Sequence, residues 1–230
     1  MRTPDWFHDE HQSREIESVA LRIGDSAALR QLRNLARGLE DGWGERQVQN
    51  HLKRQPHLLL GRHRTGHGTF AFYESQLGSQ YKIDWAVANG SSAGLSWDLI
   101  ELESPLKVPF RRDGQLSAAS RCGVEQIQSW RRWLKTNVDY AQRPKARGGL
   151  GLHEIAYNIG LVVVGRRVHY DAAPGRAAFD QVRNDLKLEN LIEIVSYDQF
   201  LEDLKFRFEV QSHARRQFHV SVGIRRVRHS

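Results

Sequence analysis

The sequence predicts an α/β fold in which helices flank one mixed β-sheet. Three successive runs, over residues 69–76, 80–88 and 96–103, are aromatic or β-branched and end at Gly or Ser clusters. Such runs are typical of strands joined as an antiparallel meander. Two later strand-like runs alternate with amphipathic segments, and helical crossovers between strands produce parallel pairing. Together these observations indicate a mixed sheet with both antiparallel and parallel strands.

Helices are predicted ahead of the meander. Between Ser13 and Leu39 the apolar residues follow a period near 3.6, with a break near Gly24, which predicts an amphipathic helix. A second helix, from Glu45 to Arg54, ends before Pro56. We expect a helical appendage over residues 1–42 and a main domain over residues 43–210.

The second half of the chain continues the alternation. Residues 115–135, 179–188 and 197–206 are predicted as helices, and residues 155–165 and 191–195 contain strands. The Gly- and Arg-rich segment 143–151 is interpreted as a linker, and residues 211–230 as a basic tail. On the first of these helices Trp130 is expected in the core and Trp133 at its edge, with base stacking as the alternative use of Trp133.

Charge and cysteine content narrow the functional classes. The 230 residues include 34 Lys and Arg against 27 Asp and Glu, a net charge of +7, which favours polyanionic partners such as DNA. A single cysteine, Cys122, excludes an internal disulfide framework and a Cys-based zinc cluster, and we interpret it as a small buried residue. Residues 1–15 lack the apolar core of a signal peptide, so we expect a cytoplasmic protein without a membrane partner.

Three acids lie on neighbouring predicted strands. Asp84 alternates with apolar residues, and Glu101 and Glu103 share one face of the next strand. If the strands pair, these acids converge, and buried carboxylates must then be protonated, paired with cations or neutralised by a divalent metal. The pattern alone leaves two interpretations open: ion pairs at a sheet edge, or a site for Mg²⁺, which needs only one or two protein carboxylates.

The order of these pieces resembles the PD-(D/E)XK, or restriction-endonuclease-like, nuclease superfamily with its αβββαβ core. Within that superfamily the sequence is similar to the nuclease domain of the Shedu anti-phage defence family. The resemblance covers roughly residues 43 to 206 and rests on segments 45–49, 55–59, 83–85, 99–105, 124–128, 161–167 and 192–200.

The resemblance implies roles for individual residues. Asp84 and Glu101 match the metal-ligating acids, with the Leu102 carbonyl as a third ligand, and Glu45 matches an acid that completes the cluster directly or through water. Gln126 matches a glutamine that orients the site. The implied activity is Mg²⁺- or Mn²⁺-dependent endonucleolytic cleavage of DNA, in bacterial anti-phage defence and without a small-molecule cofactor.

Glu103 occupies the position of the motif lysine. Three outcomes stay open: Glu103 serves as base or added ligand, Lys82 supplies a migrated lysine from the Asp84 strand, or the domain binds nucleic acid without cutting it.

Basic residues outside the acid cluster are candidates for phosphate contacts. They are Arg111, Arg112, Arg143, Lys145, Arg147, Arg215 and Arg216. The tail that carries the last two ends in a strand-like segment, which suits a nucleic-acid contact or a homo-oligomer contact.

Overall fold

Five strands form one mixed sheet flanked by helices in the computed structural model, which confirms the predicted α/β class. The structure describes residues 17–18, 21–22, 26–60, 69–91, 93–171, 174–213, 219–220 and 223–224. None of the helices within these ranges is long and apolar enough to cross a membrane.

The helices, in chain order, are α1 (Ser26–Glu40), α2 (Glu45–Arg54), α3 (His57–Leu60), α4 (Ala118–Thr136), α5 (Val138–Gln142), α6 (Arg167–Asp171), α7 (Arg176–Asn190) and α8 (Tyr197–His213), with a 3-10 turn at Lys145–Arg147. The strands are β1 (Glu17–Ser18), β2 (Leu21–Arg22), β3 (Thr69–Leu77), β4 (Tyr81–Ser91), β5 (Gly94–Leu102), β6 (Asn158–Val163), β7 (Ile192–Val195), β8 (His219–Val220) and β9 (Gly223–Ile224).

The main sheet has the order β3-β4-β5-β6-β7. The first three strands pair antiparallel as the predicted meander, whereas β6 and β7 join in parallel. Helices α4 and α7 lie on the connections that precede the parallel strands, as crossovers between parallel strands require.

The pairing between strands β4 and β5 stops near one end of the sheet. Their register runs from Ser91 opposite Gly94 to Trp85 opposite Ile100 and stops there. Strand β4 nevertheless continues along β3 to Tyr81, and β5 continues along β6 to Leu102. The sheet therefore opens into a fork at the next two facing positions, which are Asp84 and Glu101.

Each face of the sheet covers its own apolar core. One core joins β4, β5 and β6 to α1, α2, α3 and α8, with Trp85 and Tyr197 fully buried. The other core packs the opposite face against α4 and α7 through Ile127, Trp130 and Phe179. These layers hold α2 and α4 on opposite sides of the fork.

Most predicted elements are confirmed with small shifts of their ends, but the helix predicted from Ser13 is wrong over its first part. Glu17–Ser18 and Leu21–Arg22 are strands, paired antiparallel with Gly223–Ile224 and His219–Val220, and the helix begins at Ser26. The strand partners lie about 200 residues away along the chain, so local periodicity could not indicate them. The predicted limits of the appendage and of the tail stay predictions.

The predicted linker is folded. The amide of Gly151 donates to the Arg143 carbonyl at 2.9 Å, and the amide of Gly149 donates to that of Pro144 at 3.1 Å. The segment is therefore a closed turn that follows α5 directly.

Candidate active site

Asp84 lies in the fork and accepts hydrogen bonds from both α2 and β5. Its Oδ2 accepts hydrogen bonds from the Gln49 side-chain amide on α2 and from the Leu102 backbone amide on β5, each at 3.1 Å. The next amide along, that of Glu103, donates instead to Val163 of β6 at 2.9 Å. The carboxylate thus accepts the bond that a β4 carbonyl would accept if the two strands still paired.

The environment of Asp84 disfavours its charge. Burial is the largest cause that raises its pKa, and repulsion by Glu45 and Glu74 adds to it. The Leu102 hydrogen bond and the positive charge of Lys82 act in the opposite direction. The net effect is a pKa above the ordinary aspartate value.

Glu101 faces Asp84 across the fork and is only 6% exposed. Its Oε1 accepts a 2.6 Å hydrogen bond from the Gln126 side chain on α4. Its Oε2 is buried and has no hydrogen-bond partner among the described residues. Burial, followed by the charges of Asp84, Glu103 and Glu45, raises the pKa of Glu101 well above the usual range, and Gln126 only partly offsets this.

The pair of acids has the character of a divalent-cation site. Asp84 raises the pKa of Glu101, and both carboxylates would ionise if a cation bound between them. Oε2 of Glu101 is an oxygen in need of a partner. Among the described residues no three His, Cys, Asp or Glu side chains are gathered as a metal-binding group. Mg²⁺ usually takes only one or two carboxylates from a protein and keeps several waters, so the residues fit such an ion.

Glu45 stands at the outer rim of this pair. It is the first residue of α2 after Gly44, and its Oε1 lies 3.5 Å from the same Gln49 amide that binds Asp84. Partial burial raises the Glu45 pKa. Its charge also raises the pKa of Asp84, Glu101 and Glu103, so Glu45 lies close enough to act on the three strand acids.

Glu103 is half-buried beside α4. Its carboxylate shares a hydrogen bond with the Cys122 thiol, and its carbonyl accepts one from the Tyr197 hydroxyl at 2.7 Å. Burial first, then Glu45 and Asp84, raise the Glu103 pKa, while Cys122 and Lys107 lower it.

Lys82 is engaged elsewhere. Its ammonium lies 2.7 Å from Oε1 of Glu74 on β3, and both side chains are partly exposed. Glu74 has a left-handed backbone with φ of 48° and stands opposite Asp84 between two paired positions. Lys82 therefore acts on Asp84 only as a nearby charge.

Three residues of this site escaped the sequence analysis. Gln49 and Tyr197 were not considered as site residues. Cys122 was predicted to be buried but is exposed. It lies one turn before Gln126 on α4, with its sulfur 3.9 Å from the Gln126 side-chain nitrogen. A signal existed for two of them, since Gln49 follows Glu45 by four residues and Cys122 precedes Gln126 by four, which places each pair on one helix face.

The candidate phosphate-binding residues lie apart from one another. Arg111 pairs with Asp113 at 2.8 Å, and this loop, with the exposed Arg112, leads into the start of α4. Exposed Arg143 and Arg147 belong to the turn after α5, beyond the other end of α4, and Lys145 lies in the same turn. Arg215 and Arg216 fall outside the described residues.

Residues 43–201 match a family whose description is "Shedu protein SduA, C-terminal". The match takes in the six acidic and amide positions of the fork described above: Glu45, Gln49, Asp84, Glu101, Glu103 and Gln126. No curated protein matches the chain.

Proposed function

Because the chain belongs to the Shedu SduA C-terminal family, which connects it to anti-phage defence, we propose that it is a metal-dependent endonuclease of the PD-(D/E)XK type that hydrolyses phosphodiester bonds of DNA. The observation that carries the proposal is the buried, unpartnered Oε2 of Glu101 opposite Asp84. A purely structural acid at this depth would be paired with a cationic side chain, and Glu101 has no such partner within the part of the chain that the structure describes.

Asp84, Glu101 and the Leu102 carbonyl would hold Mg²⁺ or Mn²⁺, with Glu45 reached directly or through water. When bound, such an ion lowers the pKa of water and stabilises the negative charge that develops on the phosphodiester.

The protein's own residues fix the ligand atoms in advance. Gln49 and the Leu102 amide both bind Oδ2 of Asp84, which leaves Oδ1 available. Gln126 binds Oε1 of Glu101, which leaves Oε2 available. Ligands held by such partners keep their orientation, and loss of a partner typically costs metal affinity or activity.

We assign Glu103 the role of general base that accepts the proton of the attacking water. Burial and neighbouring acids raise its pKa from the ordinary glutamate value, which moves it toward the neutral range where a base is most effective. Its hydrogen bond with the Cys122 thiol holds the carboxylate against α4. The paired state of Lys82 disfavours the alternative in which that lysine activates the water.

The proposal is tested with the full chain, supercoiled plasmid and Mg²⁺ or Mn²⁺. We expect nicking or linearisation that EDTA prevents, and that Asp84→Ala and Glu101→Ala abolish. Glu125→Ala is the matched control, because this exposed acid lies on α4 next to Gln126 but outside the fork. Activity that survives both substitutions would come from a contaminant or another site.

A second candidate function is binding of DNA without cleavage. It is favoured by the replacement of the motif lysine with Glu103 and by the engagement of Lys82 with Glu74. Wild-type protein that binds DNA but leaves the plasmid intact with either metal ion would establish this function.

A further inference from the structure

A groove of about 570 Å³ lies between the C-terminal part of α4 and the start of β4. This volume is within the range of about 300 to 1,000 Å³ that small-ligand sites occupy. The lining of the groove includes Gly78, Tyr81, Ser129, Arg132, Trp133 and Tyr140.

Aromatic side chains form one wall of the groove. Trp133 and Tyr140 meet edge to face at a ring separation of 6.1 Å, and Tyr140 is 37% exposed. Gly78 has a left-handed backbone, and a Cβ at this residue would lie 3.3 Å from the indole of Trp133. The Gly78 backbone therefore lies directly against the indole, with no side chain between them.

The charge in the groove is positive. Its lining contains one cationic side chain, Arg132, and no acid. Arg132 donates to the Ser129 hydroxyl at 2.8 Å and forms no ion pair with a described residue. Aromatic faces beside an unpaired arginine and several hydroxyl and amide groups are the combination that binds a nucleobase together with its phosphate.

Two elements link the groove to the acids of the fork. Helix α4 carries Gln126, which binds Glu101, and Trp133 follows seven residues later, about 10 Å along the helix axis. Strand β4 carries both Asp84 and, three residues earlier, Tyr81 of the groove, also about 10 Å away. The distance corresponds to a few nucleotides of one strand.

We propose that this groove binds an unpaired nucleobase of the DNA strand that enters the fork, so that single-stranded or frayed DNA is bound in preference to continuous duplex. A base within a duplex has both faces covered by its neighbours, and only an unpaired base can offer one to Trp133 and Tyr140. Arg143 and Arg147 are exposed in the turn that follows Tyr140 and add positive charge near this residue. The proposal rests on the proposed function.

Binding is measured by fluorescence anisotropy in EDTA, so that cleavage plays no part. The probes are a labelled oligothymidylate and a closed hairpin duplex of equal length. We expect Tyr140→Leu and Arg132→Ala each to weaken oligothymidylate binding about fivefold or more and to change duplex binding much less. The matched controls are Tyr157→Leu and Lys135→Ala, since both residues are exposed and neither lines the groove.

A second measurement detects stacking directly. A 2-aminopurine placed a few nucleotides from the strand end should lose fluorescence on binding to the wild type and keep it with Tyr140→Leu. Equal affinities of the groove and control variants for the single strand, without a fluorescence change, would overturn the proposal. Displacement of the strand by free deoxyadenosine monophosphate would assign the groove to a mononucleotide and overturn it too.

The two proposals fail separately. If Asp84→Ala abolishes cleavage but the groove variants bind single strands normally, the groove inference is wrong and the nuclease stands. If the groove variants lose single-strand binding while the wild type cuts no DNA, the nuclease proposal is wrong and the groove binds strands for another purpose.

Discussion

Glu101 lies in an environment very different from that of a free side chain in water. It is almost fully buried, has one oxygen without a hydrogen-bond partner among the described residues, and is surrounded by other acids. These conditions favour its protonated form. The Glu101 carboxyl group is well suited to bind a cation, but its ionisation therefore destabilises the metal-free protein.

The raised pKa of Glu101 predicts that Glu101→Gln stabilises the folded protein in the absence of divalent metal. Because the folded pKa of Glu101 is raised, the wild type loses stability as the pH rises from the unfolded value of about 4.3 toward the folded value. The amide cannot ionise, so we expect the variant to have a free energy of unfolding about 1–3 kcal/mol higher at neutral pH. Urea unfolding in EDTA at several pH values measures this.

The exposed Glu125→Gln is the control for Glu101→Gln and should follow the wild type at every pH. If the free energy of unfolding of Glu101→Gln falls with rising pH as steeply as that of the wild type, ionisation of Glu101 is not the cause of the loss.

The individual residues of the fork were predictable to different degrees. Strand alternation was enough to bring Asp84 and Glu101 together, because side chains on neighbouring strands share a face at regular intervals. The partners Gln49 and Tyr197 come from other layers, 35 and 94 residues away from the residues that they bind. Nothing in a local pattern fixes how such layers are placed on a sheet.

At the scale of elements, the position of the site depends on how closely α4 approaches the sheet. A Cβ at Gly123 would lie 2.7 Å from a methyl group of Val162 on β6 and 3.5 Å from the Glu103 side chain. Gly123 lies one turn before Ile127, another buried residue of the same interface. Gly123 is thus the residue that allows this helix to pack so closely on the sheet.

Gly123→Val should separate α4 from the sheet. Extra methyl groups in a packed core cost about 1–3 kcal/mol, and we expect the free energy of unfolding to fall by that amount. The same displacement would draw Gln126 away from Glu101, so DNA cleavage should fall as well. Urea unfolding and plasmid nicking measure the two effects, with Glu125→Val on the exposed side of α4 as control. Unchanged values in both assays would contradict the close packing.

The helices and strands were predicted more reliably than the way in which they pair and pack together. The meander and the alternation of helices with parallel strands followed from periodicity and turn residues. The fork between β4 and β5 did not, since both strands continue in sequence where their pairing stops. Propensity did not indicate the left-handed backbone of Glu74 beside the fork either, because residues other than glycine, glutamate among them, rarely adopt that conformation.

At the scale of the whole molecule, the positive charge is unevenly distributed. The five arginines after Val210 are Arg215, Arg216, Arg225, Arg226 and Arg228, and no acid accompanies them. Without them the net charge would be about +2, since 7 minus 5 leaves 2. The strands β8 and β9 lie among these residues and pair with β2 and β1, so a deletion would remove pairing as well as charge.

Replacing these five arginines with Gln isolates the charge. If they contact phosphates, the slope of log K against log salt concentration for duplex binding should become shallower by up to about 4.5, which is 0.9 for each contact. Anisotropy titrations in EDTA at several salt concentrations measure the slope. Arg30→Gln with Arg37→Gln, both exposed on α1, controls for general charge loss, and an unchanged slope in the tail variant would dismiss the contacts.

The hydrogen bond from the Leu102 amide to Asp84 has a consequence for hydrogen exchange. Backbone amides in a sheet are normally protected by another strand, and they exchange with solvent when the strands separate. The Leu102 amide is instead protected by a carboxylate, so its deuterium uptake follows the rotamer of one side chain. The exchange rate of this one amide, at the end of the middle strand, therefore reports how the acids of the fork are arranged.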